Sequence, residues 1–269
     1  MISEMDVLKE RLKATWMAGD YGHFARYLEA GALEFMDQLH IEPGISILDV
    51  GCGAGQIAIP AAQLGAKVTG IDLASNLIEQ ARERAQSVNL EITFEQGDAE
   101  ALPYNDESFE LVVSLIGAMF APRPERVASE LVRVCRRGGR IVMANWTPNG
   151  FIGELFKTVS KHLPPPSIMP SPLEWGEEQI VRERFQPDIV ELRCAKRNYP
   201  FSYPFGPAEV VEFYRTYYGP TNRAFGALDE TGKEALQQEL EQLWTKHNQA
   251  KDGTTHYQSE YLLVTAVKA

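Results

Sequence analysis

The sequence is poor in cysteine, in histidine and in long apolar runs. Its 269 residues contain only three cysteines, Cys52, Cys135 and Cys194, which are widely spaced and form no CxxC pair. They predict neither a disulfide framework nor a zinc site, and the five histidines belong to no ligand motif, so we expect no bound metal. The longest apolar run, 111–122, is shorter than the ~20 residues that a membrane-spanning helix needs. We therefore do not expect this chain to be an integral membrane protein.

Positive charge is also scarce. Lysine and arginine total 26 against 37 aspartates and glutamates, which gives a net charge of −11. This balance opposes binding to a nucleic-acid backbone or to an anionic membrane surface. The one basic cluster, RVCRRGGR at 133–140, is interpreted as a solvated turn. The first residues, MISEMDVLKERLKATW, lack the apolar centre of a secretory signal, so we expect a cytoplasmic protein.

Short β-rich runs alternate with helical patterns in the first half of the chain. The runs are ISILDV (45–50), AKVTGID (66–72), EITFEQGD (91–98), FELVVSLI (109–116) and GRIVMANW (139–146). This alternation predicts an α/β fold with a doubly wound, mostly parallel sheet. Two later runs, 189–199 and 259–267, alternate as strands do and bring the total to seven.

Two helix boundaries are also predicted between these runs. Ser75 is expected to cap the helix that follows the second run. A later helix is expected to include Cys135 on its apolar face and to stop at the Gly138–Gly139 turn signal.

The whole chain, 1–269, is predicted to be a single domain with four parts. They are an N-terminal helical lid (1–40), a cofactor-binding core (41–146), a loop and helix insertion (147–188), and a last strand pair (189–269) that carries a helical cap at about 200–256. The boundary at 147 depends on proline, because eleven of the 16 prolines lie between Pro148 and Pro220. So many prolines cannot continue a regular alternation of strands and helices.

The stretch ILDVGCGAGQIAIPAA, residues 47–62, marks the first strand-to-helix turn. Glycines at 51, 53 and 55 allow positive φ angles and let a ligand approach the backbone. A dinucleotide-binding G-x-G-x-x-G turn would have its third glycine where this chain has Gln56. The carboxylate of Asp49 would repel a pyrophosphate and attract a cationic group. The turn therefore favours a ligand with a cationic end over NAD.

Two more acids follow at the ends of the next two predicted strands. Asp72 closes VTGID, where a carboxylate accepts hydrogen bonds from ribose hydroxyls in nucleotide-binding sheets. Asp98, in QGDAEALPY, is placed to accept from an adenine amino group, with the backbone of Ala99 at the ring edge. Together with Asp49, these acids predict an adenosine-containing ligand.

Four stretches resemble the successive motifs of class I S-adenosylmethionine-dependent methyltransferases: LDVGCGAGQ, GIDLASNLIEQAR, GDAEALPYNDESFELVVS and ELVRVCRRGGRIVMANW. More narrowly, they resemble the methyltransferase type 11 group that includes the ubiquinone and menaquinone C-methyltransferases. The resemblance covers about 40–147. It implies a Rossmann-like seven-stranded sheet, and S-adenosylmethionine as the cofactor with S-adenosylhomocysteine as its product.

The resemblance also implies a set of cofactor-binding residues. Asp49 would order the amino end of the cofactor, Gly51, Cys52 and Gly53 would line its methionine part, and Gln56 lies nearby at a variable position. Asp72 would hold the ribose, Leu73 would pack on the adenine, and Asp98 and Ala99 would address the adenine edge. Ser114, Leu115 and Ile116 would pass close to the sulfonium and its methyl group. No catalytic residue is predicted.

The expected activity is methyl transfer by in-line displacement to a small, apolar or aromatic acceptor. An NAD-type oxidoreductase and a non-catalytic adenosine-ligand-binding protein of the same fold are the alternatives. Nine aromatic residues between 199 and 225 form either the interior of the cap or the acceptor pocket, with Tyr203, Tyr214, Tyr217 and Tyr218 as candidates. An N-terminal lid would bring Tyr21 or His23 over the cofactor.

Overall fold

The computed structural model describes residues 3–269, and within them seven strands form one sheet in the order β3-β2-β1-β4-β5-β7-β6. The strands are β1 (Ser46–Val50), β2 (Lys67–Asp72), β3 (Thr93–Gln96), β4 (Phe109–Leu115), β5 (Cys135–Trp146), β6 (Ile189–Tyr203) and β7 (Thr255–Lys268). Strands β1 to β5 pair in parallel, and β7 runs antiparallel to both β5 and β6. The predicted doubly wound, mostly parallel seven-stranded sheet is confirmed.

Successive strands are added to the sheet on one side of β1 and then on the other. From β1 the chain proceeds through β2 to β3 on one side, and from β4 to β5 on the other. Asp49 on β1 is aligned with Val113 on β4. A crevice opens where neighbouring crossovers leave in opposite directions, and open α/β sheets bind ligands there. The turn after β1 lies at this point.

Helices cover both faces of the parallel strands. The crossovers contain α4 (Ala58–Gln63), α5 (Ser75–Ser87) and α6 (Pro124–Val134). Strands covered on both faces are apolar along their whole length, and Ile47, Leu48 and Val50 of β1 are fully buried. The apolar run 111–113 of β4 is buried in the same way.

Two predicted helix boundaries were wrong. Ser75 is the first residue of α5, and the N-cap position is occupied by Ala74. The Ala74 N–H donates a hydrogen bond to the Asp72 carboxylate, which fixes the backbone just before the helix. Cys135 begins β5 and does not belong to α6, because its backbone is extended and aligns with Phe109 of β4. The segment 135–140, interpreted as a solvated turn, is therefore the first half of a strand.

Three N-terminal helices lie within the predicted lid: α1 (Glu4–Trp16), α2 (Tyr21–Ala25) and α3 (Glu29–Met36). Helix α1 packs closely on the cap, because a Cβ at Gly219 would lie 2.0 Å from the carbonyl oxygen of Thr15. The Asp20 N–H also donates to the Tyr217 carbonyl. The N-terminal helices are thus joined to the C-terminal part of the chain.

The other helices follow β5 and β6. They are α7 (Phe151–His162), α8 (Glu178–Phe185), α9 (Pro207–Tyr217), α10 (Gly219–Ala227) and α11 (Glu230–His247). Helices α9 to α11 connect β6 to β7, at the place of the predicted cap. Both strands are longer than predicted and pair as far as Tyr203 and Thr255, because buried aromatic rings such as Phe201 and Tyr257 stack across them.

No helix within residues 3–269 combines the length and the apolar character that crossing a membrane requires.

Candidate functional site

A cavity opens at the crevice beside β1, between the carboxyl ends of the strands, the N-terminal helices and the cap. Eleven of the twelve predicted cofactor-binding residues line it: Asp49, Gly51, Cys52, Gly53, Gln56, Asp72, Leu73, Asp98, Ala99, Leu115 and Ile116. Residues far apart in the sequence thus share one wall, because the carboxyl ends of parallel strands meet at one edge of the sheet. Their roles toward a cofactor stay predictions.

The glycine turn after β1 has the positive φ angles that its composition predicts. Gly51, Gly53 and Gly55 have φ angles of 70°, 53° and 86°, which residues with a Cβ rarely adopt. A Cβ at Gly51 would lie 2.7 Å from the Cα of Gly117, in the segment after β4. The two loops that flank the crevice therefore touch at this glycine.

Asp49 is a buried carboxylate with an unused oxygen. Its side chain lies at the carboxyl end of β1 with 1% of the residue exposed. Oδ2 has no hydrogen-bond partner among residues 3–269. Burial, opposed by the Ala58 N–H and aided by the charge of Asp72, raises the pKa of Asp49 to about 7. A buried acid without a partner costs stability, and a cationic group in the adjoining cavity would offset this cost.

Asp72 is held in one orientation by two backbone donors. Oδ2 accepts the Gly53 N–H and Oδ1 accepts the Ala74 N–H, each at 2.9 Å. Burial raises the pKa of Asp72, and these two N–H groups oppose the rise. Each carboxylate oxygen has a second lone pair, so a bound diol can still donate to Asp72.

Asp98 is engaged by a residue that sequence reasoning missed. Its Oδ1 accepts the Glu100 N–H, and its Oδ2 lies 2.5 Å from Nζ of Lys9 on α1. The same ammonium lies 2.5 Å from Oε2 of Glu100, whose buried side chain also pairs with Arg123. No motif surrounds Lys9, so nothing in the sequence distinguished it from other lysines on α1.

Ser114 is the one predicted cofactor-binding residue that does not line the cavity, and its predicted place beside the sulfonium stays a prediction. Its hydroxyl donates to the Val50 carbonyl at 2.7 Å and accepts the Ala118 N–H at 2.8 Å. Successive side chains of a strand point to opposite faces, and Ser114 faces away from the opening that Leu115 lines. Its role is to tie β4 to β1 below the cavity.

Cys52 is packed into the core as well as lining the cavity. Its sulfur would lie 3.0 Å from a Cβ at Gly70 of β2, so it fills space above that strand. Burial raises the pKa of the Cys52 thiol well above its ordinary value. A protonated thiol is a poor nucleophile, which agrees with a packing role.

Ile116, at the exit of β4, has an unusual backbone. Its φ of 54° lies in the left-handed region, which β-branched residues rarely enter. The Ile116 N–H donates to the Ala144 carbonyl at 3.0 Å and helps to hold this conformation. Such strain often occurs at functional sites, and here it marks the place where the methyl group is expected.

Aromatic side chains from three parts of the chain form the remaining wall. They are Trp16, Tyr21 and Phe24 from the N-terminal helices, Phe120 and Trp146 from the core, and Tyr199, Phe201, Tyr214 and Tyr218 from the last third of the chain. Of the four candidate tyrosines, Tyr214 and Tyr218 line the cavity, whereas Tyr203 and Tyr217 do not. Hydroxyls of Tyr203 and Tyr214 instead share a buried network with Tyr257.

Tyr21 and His23 have different places. Tyr21 lines the cavity, and one of its ring carbons would lie 3.7 Å from a Cβ at Gly53, so the ring covers the glycine turn. Burial and the charge of Asp72 raise the pKa of Tyr21. The ring of His23 instead packs 4.6 Å from that of Tyr217, outside the lining. Between the two predicted lid residues, Tyr21 is the one over the cavity.

Comparison with known proteins relates residues 48–143 to the methyltransferase domain family. An uncharacterised protein of Mycobacterium tuberculosis is 36% identical over 258 residues, which span 94% of this chain and 92% of that protein. The similarity therefore extends through the N-terminal helices and the cap as well as the core.

Solved structures share the fold. A putative methyltransferase from Bacillus halodurans aligns with a TM-score of 0.60 at 22% identity and covers 88% of this chain and 98% of its own. A geranyl diphosphate methyltransferase in complex with S-adenosylmethionine aligns with a TM-score of 0.53 at 20% identity, over 90% of this chain and 85% of its own. At these identities the likeness shows the architecture alone.

Proposed function

Because this chain belongs to the class I S-adenosylmethionine-dependent methyltransferases, we propose that it methylates a small, apolar or aromatic acceptor by in-line displacement. S-Adenosylmethionine is the methyl donor and S-adenosylhomocysteine the product. The family and the placement of eleven predicted residues in one cavity support this proposal.

The observation that carries the proposal is the unused Oδ2 of Asp49. It is a buried carboxylate oxygen beside a glycine turn, and no group within residues 3–269 satisfies it. An ammonium group would satisfy it, whereas a pyrophosphate would be repelled by it. The amino end of S-adenosylmethionine meets this requirement, and a dinucleotide does not.

Other residues fit the rest of the cofactor. Asp72 is fixed by two backbone donors and keeps lone pairs for ribose hydroxyls. Leu73 offers an apolar side chain for the adenine, and Ala99 a backbone edge. Asp98 is already paired with Lys9, so an adenine amino group would share this carboxylate with the ammonium.

Bound S-adenosylmethionine supplies an electrophilic methyl group on a cationic sulfur. The chain contributes alignment: the glycine turn and Ile116 set one side of the reaction site, and the aromatic wall sets the other. That wall excludes water and holds the acceptor against the methyl group. Positioning of this kind accounts for up to ~7–11 kcal/mol of a barrier.

The two alternatives are less well supported. An NAD-type oxidoreductase would meet Gln56 where its third glycine belongs and the Asp49 carboxylate beside its pyrophosphate. A non-catalytic adenosine-binding protein would need no enclosed second wall, whereas this cavity continues past Ile116 into the aromatic residues.

Calorimetric titration with S-adenosylmethionine, S-adenosylhomocysteine and NAD tests the cofactor. We expect the first two to bind and NAD not to bind, and NAD binding without S-adenosylmethionine binding would refute the proposal. A screen with methyl-labelled S-adenosylmethionine across phenols, quinones, amines and lipids tests turnover. Cofactor binding without a labelled product in any class would favour the non-catalytic alternative.

A further inference from the structure

The charges in the cavity wall are confined to one region. Its charged side chains are Lys9, Asp49, Asp72 and Asp98, and the three acids lie at the ends of β1, β2 and β3 or just after them. Lys9 is neutralised by Asp98 and Glu100. If the proposed function is correct, the cofactor uses this region.

The rest of the wall has no ionised side chain. Trp16, Phe120, Trp146, Ile152 and Phe201 present apolar surface there. A phosphate group bound against this surface would lose its hydration without gaining a counter-charge, and an ammonium group would gain only the cation–π attraction of the rings in exchange. The wall therefore suits an acceptor that carries no charge.

Tyr218 places one polar atom in this apolar wall. It lies at the corner where α9 ends and α10 begins, with 7% of the residue exposed. Its ring stacks on Phe24, with centroids 4.8 Å apart, and meets the edges of Trp16 and Tyr214. Packing on several sides fixes the direction of the phenol.

The Tyr218 hydroxyl makes no hydrogen bond to any group within residues 3–269, in contrast to the hydroxyls of Tyr199 and Tyr214, which line the same cavity. The Tyr199 hydroxyl donates to the Leu28 carbonyl at 2.6 Å, and the Tyr214 hydroxyl is 2.9 Å from that of Tyr257. The Tyr218 hydroxyl is not fully enclosed by protein atoms, and because Tyr218 lines the cavity, its hydroxyl is open to that cavity. Buried phenols normally have a partner.

Burial raises the pKa of Tyr218 far above neutral pH, and the nearby Tyr21 adds to the rise. The phenol therefore stays protonated and acts as a hydrogen-bond donor rather than as a base. Its natural partner is an oxygen atom that accepts.

We propose that the methyl acceptor is an uncharged, mainly apolar molecule with a hydrogen-bond-accepting oxygen, and that Tyr218 is the positioning residue that donates to this oxygen. The inference rests on the proposed function, because it assigns the charged region to the cofactor. It separates this chain from enzymes whose acceptor is an amine or a phosphate ester.

Three bicyclic probes of one size test the proposal with protein loaded with S-adenosylhomocysteine. 1-Tetralone carries an accepting carbonyl, tetralin carries no polar group, and 2-aminotetralin carries an ammonium. Binding is followed by calorimetry and by the change in tryptophan emission, because two of the four tryptophans, Trp16 and Trp146, line the cavity. We expect tetralone to bind more tightly than either of the other two.

The Tyr218→Phe variant removes only the hydroxyl. We expect it to weaken tetralone binding by about three- to ten-fold, the effect of one neutral hydrogen bond, and to leave tetralin binding unchanged. Tyr217→Phe, on the neighbouring residue outside the lining, is the matched control and should alter neither probe. The affinity for S-adenosylhomocysteine should be the same in all three proteins, which also shows that the variants are folded.

Three results would overturn the proposal: no tetralone binding to the wild type, equal loss of tetralone and tetralin binding in Tyr218→Phe, or binding of 2-aminotetralin at least as tight as that of tetralone. The comparison of the three probes on the wild type does not depend on any variant folding. If S-adenosylhomocysteine fails to bind at all, the proposed function fails, and the probes are then compared on the protein alone.

Discussion

Replacing Asp49 with asparagine should make the protein more stable and its cofactor binding weaker. Asparagine has nearly the shape of aspartate, can still accept the Ala58 N–H, and has no charge to bury. The buried carboxylate of the wild type has one oxygen without a partner, so removal of its charge removes a cost of folding.

The size of the effect depends on pH. Burial raises the pKa of Asp49 from its ordinary 3.8 to about 7. Between these values the folded protein keeps a proton that the unfolded chain has lost, so the stability from this group is complete below pH 3.8 and is lost as pH rises through 7. The full loss corresponds to roughly 4 kcal/mol. Asparagine does not titrate, so the stability of Asp49→Asn should not decrease in this way as pH rises.

Urea denaturation at pH 4.5 and pH 8 measures the difference between the two proteins. We expect the advantage of Asp49→Asn to be small at pH 4.5 and to grow to about 2–4 kcal/mol at pH 8. The exposed carboxylate of Asp37 offers a matched control, because Asp37→Asn should shift stability by less than about 0.5 kcal/mol at either pH.

Calorimetry on the same proteins measures the cost to function. At pH 7.5 we expect Asp49→Asn to bind S-adenosylmethionine about ten-fold or more weakly, because a charge-assisted hydrogen bond is lost. Wild-type affinity should fall between pH 7.5 and pH 5.5 as Asp49 takes up a proton, and the affinity of the variant should change little. A variant that is no more stable at pH 8, or that binds the cofactor as the wild type does, would refute this account of Asp49.

Three further variants test other parts of the site. Asp72→Ala should weaken S-adenosylmethionine binding about ten-fold or more in calorimetry without unfolding the protein, and unchanged affinity would remove Asp72 from the site. Ser114→Ala removes the hydrogen bonds of the Ser114 hydroxyl to two backbone groups, so urea denaturation should show a loss of about 1–3 kcal/mol. Cofactor affinity should be unchanged, and reduced affinity at intact stability would contradict the structural role of Ser114. Lys9→Met should speed proteolysis near α1, because it removes the ion pairs that hold this helix to Asp98 and Glu100. Lys13→Met, on the same helix, should not change the rate. Equal rates of proteolysis in the two variants would show that the Lys9 ion pairs do not hold α1 in place.

Much of the sheet and of the glycine turn was predictable from local patterns. A buried parallel strand is a short apolar run, and a turn with positive φ angles requires glycine, so 45–55 indicated its structure from residue types alone. The acids at 72 and 98 were predictable as neighbours, because parallel strands end at the same edge of the sheet. The expected cofactor class rests on the resemblance of these motifs, in their order and spacing, to those of class I methyltransferases.

The sequence did not predict features that depend on side-chain orientation or on the choice of hydrogen-bond partner. Ser114 and Leu115 are adjacent, and only the pairing of β4 with β1 decides which of them faces the cavity. Tyr217 and Tyr218 are adjacent at the end of α9, where the turn into α10 places the ring of Tyr217 against His23 and that of Tyr218 in the cavity wall. The residue types within these two segments do not predict which side chain faces the cavity.

The sequence by itself determined the seven-stranded α/β class, the glycine turn and the three acids at strand ends, because each depends on residue types at short spacing. Tertiary structure alone decided that Lys9 meets Asp98, which lies 89 positions away. Among residues 3–269 it also left the Tyr218 hydroxyl and Oδ2 of Asp49 without a hydrogen-bond partner, whereas the Tyr214 hydroxyl bonds to that of Tyr257. Each of these facts depends on which segments pack together across the crevice, and such long-range packing is set by the whole chain rather than by any local pattern.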